Sequence, residues 1–210
     1  MTLQRLSELL KCELSVLHYL SQGQIGDIYQ AKLKEQPVVI KTTGEDREDL
    51  LIEAGMLEDL SNNRLRVPQV FVSTKEALVM EYVKPCRNIN YDKETEAAKA
   101  LASLHQVSNE SRMYGYYYNT TLASFHQNNE QTQYNWGLFL SQMRILPMAR
   151  NCYDRGVLDK SLLDRLETLC NSIYKRIDMS RITPSLLHGD VWRGNVLYEK
   201  PILISLLRGL

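Results

Sequence analysis

Leu186-Leu187-His188-Gly189-Asp190-Val191-Trp192-Arg193-Gly194-Asn195 is the stretch on which the reading of this 210-residue chain turns. An apolar run, read as a strand, stops at a carboxylate; an amide follows five positions later, and an extended pattern resumes at Val196. Phosphoryl transfer to a hydroxyl needs two such oxygen-bearing groups. Asp190 would accept the hydroxyl proton, and Asn195 would hold a Mg²⁺ that neutralises phosphate charge. Aspartate followed by asparagine on a turn is otherwise commonplace, so the weight of the reading comes from what precedes it in the chain.

Upstream, Val38-Val39-Ile40-Lys41 reads as a strand whose terminal lysine can reach toward nucleotide phosphates, although a strand-edge lysine is more often simply solvated. Glu53 lies three, four and seven positions from Leu50, Leu57 and Leu60, which places a carboxylate beside the apolar face of a helix over about 47–60. An inward carboxylate needs a cation, and Lys41 is the candidate. Before them, Gly23 and Gly26 in Ser21-Gln-Gly-Gln-Ile-Gly-Asp27 separate two strand candidates. They allow either an ordinary hairpin turn or a close backbone approach to phosphate.

Between the two halves runs Leu78-Val79-Met80-Glu81-Tyr82-Val83, ending at Lys84-Pro85. It reads as a core strand or as a hinge whose backbone at Glu81, Tyr82 and Val83 meets a purine edge. On its N-terminal side the order is strand, strand, strand, helix, strand, strand, after a first helix suggested by Leu3, Leu6, Leu10, Leu14 and Leu17. On its C-terminal side, helices are expected over 92–106, 135–150 and 160–177, with 109–133 as loop and a closing hairpin of Val196–Tyr198 with Ile202–Ile204. The class is therefore α+β, with a β-rich part over 1–84 and a helical part over 85–210.

Composition narrows the partners. With 25 basic and 25 acidic residues, the formal charge is zero, so no electrostatic footprint for nucleic acid or an anionic membrane is present. The 44% hydrophobic content suits a globular core. Cys12, Cys86, Cys152 and Cys170 show no metal-ligand spacing with the histidines, and reduced thiols in a cytoplasmic protein are the expectation. Residues 1–13 lack the pattern of a signal peptide, and no apolar run reaches membrane-spanning length.

His188-Gly189-Asp190-x-Trp192-x-Gly194-Asn195, together with Asn135-Trp136, Phe139, Arg144 and Ile145, resembles the fructosamine kinase (ketosamine kinase) family of the aminoglycoside-phosphotransferase and protein-kinase-like group. The resemblance runs from about Leu17 to Ile204. It implies a two-lobed protein-kinase-like fold, ATP and Mg²⁺ as cofactors, and a ketosamine substrate, small or protein-bound, phosphorylated on a sugar hydroxyl, with His188 and Trp192 near that substrate. Tyr118-Asn119-Thr120-Thr121-Leu122 departs from the family's Asp-Asn-x-Ile-Gly pattern. Ser205-Leu206 stand where it has Asp-Pro, and Ser205–Leu210 reads as a foreign ending. The expectation is thus an incomplete helical lobe and little kinase activity in the 210-residue form. The alternatives are an inactive nucleotide-binding module and a kinase for an aminoglycoside or choline-like compound.

Overall fold

The computed structural model describes residues 3–22, 26–43, 48–84, 91–122, 125–129, 134–198 and 203–204. They fall into two compact units, Met1–Gln106 with Leu187–Leu210, and Val107–Leu186. The last strands and the Asp190 stretch therefore group with the N-terminal sheet.

The first unit is built on a five-stranded antiparallel sheet. Its strands are β1 (Leu14–Gln22), β2 (Asp27–Leu33), β3 (Gln36–Thr42), β4 (Val70–Ser73) and β5 (Ala77–Glu81), in spatial order β1-β2-β3-β5-β4. The β2–β3 turn is a two-residue link in which Lys34 and Glu35 both take positive φ, 48° and 70°, the twist that right-handed strands require of a tight hairpin. β3 lies at the centre of the sheet, so Val38 through Thr42 are all buried.

The two faces of the sheet are covered differently. Helix α1 (Leu3–Leu10) buries Leu6 and Leu10 with Val38, Ile40, Ala77 and Val79. Leu14 and Leu17, which continue the helical spacing of leucines, instead belong to β1: the chain breaks at Lys11, φ 50°, and the same leucines are reused at a strand period. Helix α2 (Asp49–Asn62) packs on β4 and β5 and buries Leu50, Leu57 and Leu60. Helix α3 (Tyr91–Leu104) buries Ala97 and Leu104.

The second unit begins with a hairpin, β6 (Thr120–Leu122) with β7 (Phe125–Gln127), in the stretch expected to be loop. At three residues each, these strands are too short to show a period in the sequence. Helices α4 (Trp136–Leu140) and α5 (Leu146–Asp154) are joined without a break through a π-helical turn, Ser141–Ile145. Pro147 supplies a reason for that widening. It has no N–H to give the Met143 carbonyl one turn back, and the Arg144 Nη1 donates to that oxygen instead, at 2.9 Å. Helix α6 (Lys160–Arg176), capped by Asp159 through the Leu162 N–H, passes so close to α4 that a Cβ on Gly137 would lie 2.5 Å from the Tyr174 Cα. Leu186 forms no strand: its N–H donates to Val107 O at 2.8 Å beside a single Ser108–Ser185 bridge. In the first unit a short pair, β8 (Val196–Leu197) with β9 (Leu203–Ile204), follows the Asp190 stretch as expected.

Candidate active site

Lys41 sits near the end of central strand β3 on the face that carries Val39, with Leu78 and Met80 as neighbours across the register. Glu53 projects from the second turn of α2, and Lys41 Nζ donates to its Oε1 at 2.7 Å and its Oε2 at 2.6 Å. Both residues are buried. Two ions taken out of water are tolerable only when geometry of this quality offsets their desolvation, so the pair forms a fixed cation with its charge balanced from one side.

Of the two glycines, Gly23 lies outside the described residues. Gly26 precedes β2, and a Cβ there would lie 1.7 Å from the Thr42 carbonyl oxygen. Only glycine allows the backbone entering β2 to pass so close to the end of the strand that carries Lys41.

At the end of β5, Met80 and Val83 are buried, and Val83 packs against Leu197. Tyr82 is partly buried. The Glu81 carboxylate is occupied: Arg66 Nη1 donates to Oε2 at 2.7 Å, Arg66 Nη2 donates to Oε1, and the Gln69 N–H donates to Oε2 at 3.1 Å. Hydrogen bonding from Arg66 holds this carboxyl below the usual range, against the upward push of burial and with help from Gln69. The Glu81 N–H is also taken, donating to Gln69 O at 2.8 Å, so what Glu81 could offer a ligand is its backbone carbonyl. Nothing in the sequence marked Arg66. It reads as one more surface cation, and the burial of Leu65 and Val67 on either side of it is visible only in the fold.

The Asp190 stretch is shaped by its glycines. Gly189 has φ 83°, a left-handed conformation that an L side chain disfavours, and it turns the chain between buried His188 and Asp190. The Asp190 N–H donates back to His188 Nδ1 at 3.3 Å, so the imidazole braces the turn from within. Trp192 is half exposed, and its ring lies across Gly194: a Cβ there would come within 2.4 Å of it. The Trp-x-Gly spacing is thus one local fold, an indole seated on a residue with no side chain.

Asn195 is fully buried. Its Nδ2 donates to the Asp190 backbone carbonyl at 2.8 Å and to Asp190 Oδ2 at 2.9 Å. Its Oδ1 is buried with no hydrogen-bond partner among the described residues. A buried amide oxygen left without a donor is costly unless a water or a cation completes it, and here its orientation is fixed by the two bonds on the other side of the amide. The residues present therefore fit a hard divalent cation at Asn195 Oδ1 beside Asp190.

A five-stranded antiparallel sheet with a buried lysine–glutamate pair, followed by helices and an Asp…Asn turn, defines the protein-kinase-like class of fold. Solved structures agree with this. A Thermobifida fusca protein provisionally named fructosamine-3-kinase superposes with TM-score 0.83 at 24% identity, covering 97% of this chain and 71% of that one. A gentamicin complex of an aminoglycoside phosphotransferase superposes with TM-score 0.61 at 18% identity, over 96% of this chain and 67% of that one. Within this class the chain belongs to the fructosamine kinase family, whose pattern matches residues 4–203. A Klebsiella aerogenes relative provisionally named ketoamine kinase is 28% identical over 191 residues, covering 87% of this chain. The chain spans 64% of that relative's length.

Proposed function

We propose that this chain is an ATP-dependent kinase that transfers the γ-phosphoryl group to a sugar hydroxyl of a ketosamine, free or attached to a protein. The observation that carries the reading is the two-sided use of Asn195: one end of its amide holds Asp190 by two hydrogen bonds, and the other end is a buried oxygen with no hydrogen-bond partner among the described residues. Membership of the fructosamine kinase family and the ketoamine kinase relative support the choice of substrate.

In this reading Lys41, held by Glu53, contacts the α- and β-phosphates, while Gly26 and Gly23 let the preceding backbone approach them. The backbone of Glu81, Tyr82 and Val83 meets the adenine edge. Asp190 orients the substrate hydroxyl and takes its proton as the oxygen bonds to the γ-phosphorus; the bond to the β–γ bridging oxygen breaks and ADP leaves. Mg²⁺ held by Asn195 would neutralise charge on the phosphates. Trp192, exposed on its glycine seat beside Asp190, offers an apolar face to the sugar, and His188 keeps the turn in shape. A nucleotide lobe over 1–84 and a helical lobe over 85–210 go with this assignment as a division by role, distinct from the two compact units of the fold. A cytoplasmic location goes with it too; separately, among the described residues no helix is long and apolar enough to cross a membrane.

The test is ADP release from Mg·ATP with a fructosyl-lysine, a ribulosyl-lysine and a glycated peptide, beside gentamicin and choline. In any active form of the chain, release that depends on the sugar–amine adducts and disappears in Asp190→Asn is expected. Turnover only with gentamicin or choline would move the assignment to another small hydroxyl compound. ATP binding without turnover of any acceptor would leave a nucleotide-binding module.

A further inference from the structure

The exit of β5 carries an ion pair that the phosphoryl-transfer chemistry does not use. Glu81 is the last residue of β5, paired on one side with Val38 of β3. On its other side it is held by Gln69, whose carbonyl accepts the Glu81 N–H at 2.8 Å and whose own N–H donates to the Glu81 carboxylate. Among the described residues no ladder continues beyond Glu81, so the sheet itself does not fix the path of Tyr82 and Val83. Arg66 does so indirectly. Its guanidinium grips both Glu81 oxygens and also donates to the carbonyl of Val67. A two-pronged arginine–carboxylate bond sets an angle as well as a distance, which a solvated surface pair does not.

We propose that Arg66 is a positioning residue for nucleotide selectivity: by clamping the Glu81 side chain to the 66–69 segment, it fixes the strand exit whose backbone reads the purine. This inference rests on the nucleotide site proposed above. The 66–69 segment follows α2, which carries Glu53, so one continuous piece of chain sets both the phosphate lysine and the purine-reading backbone. Val83, buried against Leu197 two residues beyond Asn195, ties the same exit to the Asp190 stretch.

Calorimetric titration of the full chain with Mg·ATP, Mg·GTP and Mg·tripolyphosphate separates the possibilities. Arg66→Gln and Glu81→Gln are expected to weaken ATP by about tenfold and to erode its preference over GTP, while tripolyphosphate stays within about twofold of the parent. Arg66→Lys, a point charge on the same stem, falls between and guards against a variant that fails to fold. Lys41→Ala weakens all three ligands. Unchanged ATP-to-GTP preference in Arg66→Gln, with Lys41→Ala still impaired, would overturn the role of Arg66 and leave the nucleotide site standing. Parallel loss of all three ligands in Arg66→Gln, with a lowered Tm, would show a packing role only. No binding of ATP by the parent chain would overturn the nucleotide site and this inference with it.

Discussion

Lys41 Nζ lies 2.7 Å and 2.6 Å from the two carboxylate oxygens of Glu53, twelve positions later in the chain, and their side chains are only 9% and 10% exposed. One partner removed leaves the other buried and uncompensated. Glu53→Ala is therefore expected to lower unfolding free energy by ~3–5 kcal/mol in denaturant titrations. The double variant Lys41→Met with Glu53→Leu should recover most of that stability and still fail to bind ATP. Equal stability of the parent and Glu53→Ala would refute the buried pair.

Asp190 and Asn195 should separate in their kinetics. Asp190→Asn removes the proton acceptor and is expected to lower kcat on a ketosamine by ~10²–10⁴ with KM for ATP little changed. Asn195→Ala loses both the clamp on Asp190 and the orphaned oxygen, so its loss should be relieved in part by raising Mg²⁺. A Mg²⁺ dependence identical to the parent's would remove Asn195 from the cation site.

The indole of Trp192 rests where a side chain on Gly194 would have to go. Gly194→Ala must displace it, and the change can be read directly because Trp192 and Trp136 are the chain's two tryptophans. In a Trp136→Phe background, the expected result is an altered emission maximum with loss of ketosamine affinity and near-normal ATP affinity. An unaltered spectrum would show that the ring does not lie on Gly194 in solution.

The Glu81 carboxyl is held down chiefly by Arg66, and a lowered carboxyl contributes stability above its unfolded value that is lost as pH falls through its folded value. The stability gap between the parent and Arg66→Gln should accordingly be level from neutral pH to the upper edge of the ordinary carboxylate range. It should close as acid protonates Glu81. Thermal melts across pH 3–8 measure it, where pH ~4–5 marks the expected onset. A gap that widens on acidification would contradict the pairing.

Arg144 can be tested against the proline that makes it necessary. Its guanidinium, pushed down by burial, stacks 4.6 Å from the Phe139 ring centre and donates to Met143 O, Asn128 O and Asn129 Oδ1. Arg144→Ala is expected to cost about 2 kcal/mol. In a Pro147→Ala background the cost should shrink, because alanine at 147 restores an N–H for the Met143 carbonyl. Additive effects would show that the two residues do not share that oxygen.

Much of this was legible in the sequence alone. Glu53 beside an apolar helix face demanded a cation, and Lys41, twelve positions upstream at a strand end, was the natural candidate. The strand from Val38 to Lys41, the helix that became Asp49–Asn62 and the closing β8–β9 pair all followed from period and turn chemistry. Where the reading failed, local pattern was ambiguous or too short. Leu14 and Leu17 satisfy a helical spacing and a strand spacing alike, and the positive φ at Lys11 that decides between them leaves no mark in residue type. The β6–β7 hairpin is three residues a side, and its stability comes from Asn129, which donates to Tyr118 O and Thr120 Oγ1, and from Arg144 fifteen positions on.

The sequence by itself determined the chemistry available: a carboxylate and an amide five apart after a glycine turn, a lysine on a strand, an acid on a helix, in the order a kinase-like fold uses. Residue types and their spacing suffice for that, because each requirement is local or is a charge seeking its opposite. Only the tertiary structure decided which oxygen of which amide is left without a donor and which indole sits on which glycine. It also decided that Arg66, unremarkable in the sequence, closes on Glu81 at the strand exit. These depend on angles between elements far apart in the chain, and hydrogen bonds and close contacts are won or lost over a fraction of an ångström that no linear spacing encodes.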